Sequence, residues 1–331
     1  MGNYKIPLGI SKGAGTGHLN TATFCTVDIE KYKHFYGTIM EMELEGPISL
    51  DQDQKTNLSR FWNIPEELEF DTYHFHRHAV SSLIHLRVLH LKSSTPSIHQ
   101  SYNSYELGSF SLGFPTSDAE KFDKRMRSHH VASMAPTQIG DIVRADGEPG
   151  QYIETIYKGP DYLHCVGIER VNISQLAPCD PHSEFCGPGY SALVVRDAER
   201  EIEFFTKVLD WYTLYDQVWK TSPGSALGIP EGTPYRFTGY YAQGAKQNYI
   251  ISLEFEKGSE IDTGVMSCPP NQGLGMYTFF VSSVDDVIEK AKNHDITIIS
   301  LPQIMNDPII GQGKACILQS PGGLYIELFE I

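Results

Sequence analysis

The sequence lacks the features of a membrane protein or a nucleic-acid-binding protein. Its longest apolar runs are far shorter than the roughly 20 residues that a membrane-spanning helix needs. Lys and Arg total 26 against 41 Asp and Glu, and the net charge of −15 repels phosphate backbones and anionic membranes. The first residues contain no apolar signal-peptide core. We therefore expect no nucleic-acid partner, no membrane partner and a cytoplasmic location.

Cysteine is scarce as well. Six cysteines in 331 residues do not form a disulfide scaffold, and reduced thiols are the ordinary state in the cytoplasm. Cys179, His182 and Cys186 lie close in sequence but lack the C-x-x-C pairing of a structural zinc site, so a loop with unpaired thiols is favoured. Glycine-rich phosphate loops and nucleophile elbows are absent. The chemistry must therefore come from residues outside such short motifs.

What the sequence does contain is a repeat. A strand, a helix and several further strands follow one another four times, and each helix begins after a residue of the capping type. These residues are Asp28, Asp118, Asp197 and Ser283. The repeat predicts an α+β fold of four βαβββ modules. Two such modules close an antiparallel sheet into a cup, and inward side chains make the cup a ligand site.

The chain is long enough for two domains with separate cores. Residues 172–189 are rich in turn-forming residues and have no periodicity, which predicts a linker. The predicted domains are therefore residues 1–171 and 190–331. The two halves share a short motif, because Asn63-Ile-Pro-Glu66 in the first is echoed by Gly228-Ile-Pro-Glu231 in the second.

The last strand carries one acidic residue that needs a partner. After the Pro-Gly-Gly turn, Tyr325, Glu327 and Phe329 fall on one face of the strand. A carboxylate on an apolar strand is costly unless a metal, a cation, a hydrogen-bond donor or a substrate meets it. Glu327 is therefore the first candidate functional residue.

Several segments resemble the vicinal oxygen chelate superfamily, which includes glyoxalase I, extradiol dioxygenases and bleomycin resistance proteins. In the C-terminal half the similar segments are Tyr190-Ser-Ala-Leu-Val-Val-Arg-Asp197, Phe204-Phe-Thr-Lys-Val-Leu-Asp-Trp211, Val281-Ser-Ser-Val-Asp-Asp286 and Ser320-Pro-Gly-Gly-Leu-Tyr-Ile-Glu327. In the N-terminal half they are Cys25-Thr-Val-Asp28, Phe35-Tyr36 and Pro149-Gly-Gln-Tyr-Ile-Glu154. The resemblance implies two glyoxalase-like domains, each a pair of half-barrels.

The resemblance also implies a divalent metal (Fe, Mn, Zn or Ni) that chelates two neighbouring substrate oxygens. Its ligands would lie on the first strand of each module and near the end of the last strands. In the C-terminal half this implies Glu254 and Glu327 as ligands in one cup, but the first-strand positions fall on Tyr190 and Met276. Neither is a usual ligand for a hard divalent ion, so the set is incomplete and a protein without metal remains an alternative.

The N-terminal half offers a second candidate site. The implied positions there fall on Glu154, Thr21, Arg87 and Ser109, and His18 lies close to Thr21. His18 and Glu154 are the candidates for this site, although Glu154 and Arg87 are better explained as a buried ion pair. His74, His76 and His78 alternate along one strand face and could bind a metal, but an outward, solvated face is favoured.

The function expected from these residues is that of an enzyme acting on a small, aromatic or oxygen-rich molecule in the C-terminal cup. Glu327 and Tyr190 are the predicted catalytic residues of an isomerase- or lyase-type proton transfer or bond cleavage. The predicted substrate-binding residues are Tyr241, Tyr249, Met276 and Phe279. The alternatives are a non-catalytic binding protein of the bleomycin-resistance type and a ring-cleaving extradiol dioxygenase. The expected partner is a small-molecule substrate or ligand, and a homodimer is compatible with the sequence.

Overall fold

The computed structural model describes residues 15–77, 84–143, 149–171, 183 and 185–330. Within these ranges the chain forms four modules of four strands each. The strands of the first two modules are β1 (Thr16–Thr26), β2 (Glu43–Ile48), β3 (Phe70–His76), β4 (His85–Leu91), β5 (Gly108–Pro115), β6 (Gln138–Val143), β7 (Pro149–Lys158) and β8 (His164–Val171). Those of the last two are β9 (Tyr190–Val194), β10 (Tyr212–Lys220), β11 (Pro234–Tyr241), β12 (Tyr249–Phe255), β13 (Gly273–Val281), β14 (Ile298–Asp307), β15 (Gly311–Gln319) and β16 (Tyr325–Glu330).

Each module has a helix between its first two strands, as predicted. The helices are α1 (Ile29–Tyr32), α3 (Ala119–Ser128), α4 (Ala198–Glu203) and α5 (Val284–Asn293), and π-helical turns extend α1 over Lys33–Ile39 and α4 over Phe204–Val208. The four predicted capping residues are confirmed, because each side chain accepts a hydrogen bond from the first turn of its helix. No helix in the described ranges is long and apolar enough to cross a membrane.

One further helix, α2 (Gln52–Phe61), is not among the elements that the repeat predicts. Its composition is polar, so it has no strong apolar stripe. A capping box fixes its start, because Asp51 and Gln54 each bond the backbone N–H of the other.

The strands form two eight-stranded curled sheets, which confirms the predicted α+β fold of tandem βαβββ modules. The first sheet has the order β14-β15-β16-β13-β1-β4-β3-β2 and therefore joins module one with module four. The second has the order β10-β11-β12-β9-β5-β8-β7-β6 and joins module three with module two. Each sheet thus takes one module from each half of the chain. A repeat in sequence does not specify this, because all four modules offer an equivalent first strand for pairing.

Alternating side chains give each sheet two different faces. The helix-side faces of both sheets pack with the helices into one shared cluster, which contains Phe24, Phe205 and Leu328 among many others. The opposite faces line two separate cups with their own apolar clusters, one including Met276 and Phe329 and the other including Tyr190. Of two neighbouring residues on a strand, one therefore packs in the shared core and the other faces a cup.

Carboxylates from the last strands of modules two, three and four fix the helix ends. Each accepts a hydrogen bond from the first backbone N–H of the helix in its own module: Glu169 from Ala119 at 2.8 Å, Glu254 from Ala198 at 3.2 Å and Glu330 from Val284 at 2.7 Å. A helix N-terminus favours negative charge, so these three acids stabilise the packing of helix on sheet.

Candidate functional sites

The concave face of the first sheet is built around a buried arginine, and we call it the arginine cup (Arg87, Asp307 and Glu327). Arg87 Nη1 donates to Glu327 Oε2 at 3.0 Å, and its Nη2 donates to Asp307 Oδ2 at 2.7 Å. These side chains are at most 1 % exposed. The formal charge of the three groups is −1 when both carboxylates are ionised, and burial raises the pKa of Asp307.

Glu327 has further partners in the arginine cup. The Trp62 indole donates to its Oε1 at 2.8 Å, and the Thr278 hydroxyl donates to its Oε2 at 2.6 Å. The Arg87 guanidinium also lies 4.9 Å from the centre of the Trp62 ring, in a cation–π contact. Glu327 is therefore the buried carboxylate that its strand pattern predicts, and its partners are a cation and hydrogen-bond donors.

This arrangement does not fit the metal that the resemblance implies. Thr21, Arg87, Met276 and Glu327 are the first-sheet residues at the implied ligand positions, and of these four only Glu327 is an ordinary ligand. The positively charged Arg87 guanidinium already binds the carboxylates of Asp307 and Glu327, where a metal ion would have to bind. We therefore derive no catalytic step through a metal at these positions.

Three histidines continue the arginine cup toward its edge. The His74 Nε2 and His85 Nδ1 atoms are 2.8 Å apart, and the two rings stack with centroids 5.1 Å apart. His74 and His76 are each 4 % exposed, so the prediction of an outward, solvated face is wrong for these two residues. Burial, followed by the neighbouring His85, His76 and Arg87, lowers the pKa of His74 to about 2. His78, Cys179 and His182 lie outside the described residues. Cys186 is disulfide-bonded, so the prediction of unpaired thiols is wrong for this residue.

The concave face of the second sheet is aromatic, and we call it the tyrosine cup (Tyr190, Tyr241 and Tyr249). Tyr249 is the middle ring of a stack, with its centroid 5.2 Å from Tyr190 and 4.4 Å from Tyr241, and the ring planes lie within 15°. Gly113 faces Tyr190 across the sheet, and a Cβ atom there would lie 1.9 Å from the Tyr190 ring. Glycine at this position thus makes space for the ring.

Glu154 is the acid of the tyrosine cup. It is half-buried on β7, and burial raises its pKa from the ordinary 4.5 to about 7. Burial also raises the pKa of Tyr190 well above its ordinary value, and the Glu154 charge raises it further. Arg170 acts in the opposite direction on Tyr190, Tyr241 and Tyr249. A carboxyl group, phenol groups and a guanidinium therefore influence one another electrostatically in this cup.

The rim of the tyrosine cup is more exposed than its floor. The floor tyrosines are 4–5 % exposed. The rim residues are half-buried: Tyr152, Glu154, Ile168, Arg170, Tyr212, Tyr235 and Phe237. Solvent therefore reaches an aromatic surface beside an ionisable acid, whereas the Arg87 network in the arginine cup is closed.

A loop between β10 and β11, residues 221–232, covers part of the tyrosine cup, and we call it the lid. The Gln138 side chain anchors it by donating to Ser222 Oγ at 2.7 Å and accepting from Ala226 N at 3.0 Å. The lid contains the second copy of the Ile-Pro-Glu motif, at Ile229-Pro-Glu231, and Ile229 packs into the apolar cluster of the cup. In the first module Ile64 packs into the arginine cup in the same way. The shared motif thus marks equivalent covers of the two cups.

The structure divides most of the predicted site residues between the two cups. Tyr190, Tyr241 and Tyr249 meet in the tyrosine cup, together with Glu154, while Glu327 and Met276 lie in the arginine cup. The prediction that Glu254 shares a cup with Glu327 is wrong, because Glu254 lies on the other sheet and points to the N-terminus of α4.

Two further predictions are also corrected. Phe279 does not line a cup; it packs in the shared core, with its ring centroid 5.2 Å from that of Trp211. Arg87 pairs with Glu327 and Asp307 instead of Glu154, because Arg87 and Glu154 lie on different sheets.

His18 is buried on β1, where it bonds the Leu19 carbonyl and the Asn248 side chain. Burial lowers its pKa. The described contacts do not join His18 to Glu154, so the two residues proposed as a second site from the sequence remain separate candidates.

A third polar location was missed by the sequence analysis. Glu201 on α4 is fully buried at a cavity of about 1020 Å³, and its carboxylate accepts a hydrogen bond from Gly322 N. Burial raises its pKa to about 7, while the hydrogen bonds from Gly322 N and the Ser320 side chain act in the opposite direction. The signal was present, since Glu201 falls between Ala198 and Phe205 on the apolar stripe of its helix.

Comparison with known proteins identifies the class of this fold. Solved structures of glyoxalase I from Zea mays are similar over nearly the whole chain. A mutant form has a TM-score of 0.62 and 16% identity, covering 96% of this chain and 94% of that chain. The unmutated form has a TM-score of 0.59 and 16% identity, covering 95% and 92%.

A putative dioxygenase from Bacillus subtilis subsp. subtilis str. 168 has a TM-score of 0.55 and 12% identity, and covers 96% of this chain and 86% of its own. These likenesses show a glyoxalase-like fold. No curated protein sequence matches the chain.

Residues 187–328 match the family model of the Glyoxalase/Bleomycin resistance protein/Dioxygenase superfamily. This match confirms the resemblance to the vicinal oxygen chelate superfamily for residues 187–328, and the structural likeness shows the same fold over nearly the whole chain. The matched range contains modules three and four, which lie in different sheets.

Proposed function

We propose that the tyrosine cup binds a small, flat, oxygen-bearing organic molecule and that Glu154 exchanges a proton with it. The observation that carries the proposal is the half-buried Glu154, with a pKa of about 7, beside the stack of Tyr190, Tyr249 and Tyr241. An aromatic wall favours a flat ligand, and the few polar groups fix its orientation.

The electrostatics of the tyrosine cup suit proton transfer. An acid with a pKa near the working pH can both donate and accept a proton, which is the condition for general acid–base catalysis. Arg170 favours negative charge on the cup tyrosines, and it would equally stabilise negative charge that develops on a ligand oxygen. The chain's own residues thus supply a proton-transfer group and a cation, as an isomerase- or lyase-type reaction requires.

The experiment is a ligand panel of catechols, 2-oxo acids and 2-hydroxy acids. Binding would be measured by calorimetry, and proton exchange by the incorporation of solvent deuterium. We expect Tyr249→Ala to weaken binding by tenfold or more and Glu154→Gln to keep binding but stop exchange. Glu201→Gln is the matched control, because it removes a buried acid with the same raised pKa outside this cup. If Glu154→Gln exchanged deuterium at the wild-type rate, Glu154 would not be the proton-transfer group.

A non-catalytic binding protein is the second candidate. It is favoured by the apolar residues Ala192, Ile251 and Val166, which line the tyrosine cup near its centre and offer no metal ligand. Binding that depends on Tyr249, with no deuterium exchange for any bound compound, would identify this function.

The dioxygenase alternative would require bound iron and oxygen consumption with a catechol.

A further inference from the structure

Two histidines of the arginine cup converge on an acid of the edge strand. His74 and His76 project from the same face of β3, and Glu45 lies opposite His74 on β2. Glu45 Oε1 is 3.6 Å from His76 Nε2, and Glu45 Oε2 is 3.8 Å from His74 Nδ1. Each of the three residues offers one ligand atom that lies within 4.8 Å of the ligand atoms of the other two.

We propose that Glu45, His74 and His76 bind one divalent transition-metal ion, of which Zn²⁺ is the simplest probe. Two imidazoles and one carboxylate form a donor set typical of such ions. Bonds of about 2.0–2.2 Å place tetrahedral ligands about 3.3 Å from each other. The two nitrogen–oxygen separations are a few tenths of an ångström longer, and the Glu45 side chain, 65% exposed at the sheet edge, is free of the core packing that would oppose the adjustment.

The distances favour a shared ion over direct hydrogen bonds between these residues. Nitrogen–oxygen separations of 3.6 and 3.8 Å exceed hydrogen-bond length, although the three side chains point to one place. An ion between them would account for nitrogen and oxygen atoms that converge at distances beyond hydrogen-bond length.

The orientation of His74 is a second, independent observation. Its Nε2 lies 2.8 Å from His85 Nδ1, so Nε2–H can donate to His85 while Nδ1 faces Glu45. Metal-bound histidines commonly donate their remote N–H to such a partner, which fixes the tautomer and the ring orientation. The stacked His85 ring would perform that function here.

The surrounding charge also favours a cation. Arg87 lies opposite His74 on β4, but Glu327 and Asp307 both bind its guanidinium. The formal charges of these three groups sum to −1 when both carboxylates are ionised, and the exposed Glu45 adds another negative charge. Glu43 adds a third, with its Oε2 3.7 Å from His76 Nδ1.

This location differs from the ligand positions that the family resemblance implies. Those positions lie on the first and last strands of the modules, whereas the three ligands proposed here lie on β2 and β3 of module one. The proposed ion therefore does not depend on the function of the tyrosine cup.

The test is Zn²⁺ binding to the full chain after treatment with a chelator. We expect calorimetry to show one ion per chain and the ion to raise the thermal midpoint of unfolding. Glu45→Gln should weaken Zn²⁺ binding by about tenfold or more. The matched control is Glu30→Gln, which removes an exposed acid whose described ion pair is with Lys33, and it should bind as the wild type does.

His76→Asn provides a second variant on a different strand from Glu45, and Co²⁺ provides a second measurement, because imidazole ligands change its visible absorption. Loss of Zn²⁺ binding and of the Co²⁺ spectrum in folded Glu45→Gln and His76→Asn would support the site. Wild-type protein without saturable binding would overturn it, and so would equal binding by wild type and both variants.

Discussion

The two cups occupy equivalent places in the fold but have opposite interiors. The repeated motif at Asn63 and Gly228 aligns module one with module three, and strand pairing then places Arg87 and Ile251 at the same position. Their neighbours on the first strands, Thr23 and Ala192, correspond as well. One scaffold therefore holds a buried charge network at a position where the other holds aliphatic side chains.

The histidines and tyrosines differ in the same way. In this alignment His85 corresponds to Tyr249, and His76 corresponds to Tyr241. The arginine cup concentrates charge and nitrogen donors, which suits ions. The tyrosine cup concentrates aromatic surface, which suits flat organic molecules. The βαβββ scaffold thus fixes where side chains meet, while the residue types at those places decide what the cup can bind.

The largest expected effect comes from breaking the charge network of the arginine cup. Arg87→Met should lower the free energy of unfolding by about 3–5 kcal/mol, because Glu327 and Asp307 would remain buried without their cation. Urea denaturation would measure this. Replacing Arg87, Glu327 and Asp307 together by apolar residues should recover most of the loss and make this cup resemble its counterpart. A triple variant no more stable than Arg87→Met would show that the apolar interior depends on more than these positions.

An intermediate effect is expected at the floor of the tyrosine cup. Gly113→Ala should lower the free energy of unfolding by about 2 kcal/mol, because the new Cβ overlaps the Tyr190 ring. It should also weaken ligand binding by displacing the stack. Gly37→Ala is the control, since its Cβ would have no neighbour nearer than 3.9 Å. Combining Gly113→Ala with Tyr190→Ala should remove the clash, and additive losses in the double variant would contradict the packing explanation.

The sequence predicted the modules better than it predicted the sites. The capping residues Asp28 and Ser283 and the strand face of Glu327 can be predicted from local sequence patterns, and the structure confirms all three predictions. The missed helix α2 has a capping box but too few apolar residues for periodicity to reveal it. The exchange of modules between sheets depends on long-range pairing, which local patterns do not encode. This exchange separates Glu327 from Tyr190 and joins Tyr190 with Glu154.

The smallest expected effect concerns pH and distinguishes the acid of the tyrosine cup from the rest of the chain. The folded pKa of Glu154, about 7, lies above its ordinary 4.5, so the folded state binds this proton more tightly than the unfolded state does. The proton's contribution to stability is present below pH 4.5 and is lost as the pH rises through 7. Wild type should therefore lose about 1–2 kcal/mol more than Glu154→Gln between pH 4.5 and 8, allowing for the partial exposure of the group.

Urea denaturation of wild type and Glu154→Gln at several pH values would measure this difference. The comparison of variants is needed because Glu201 has the same raised pKa, while buried His74, with a lowered pKa, has the opposite dependence on pH. Subtracting the two curves cancels both contributions. Parallel curves would mean that Glu154 ionises as an ordinary surface acid, and the contrast between the unpaired acid of the tyrosine cup's rim and the ion-paired acids of the arginine cup would then lose its basis.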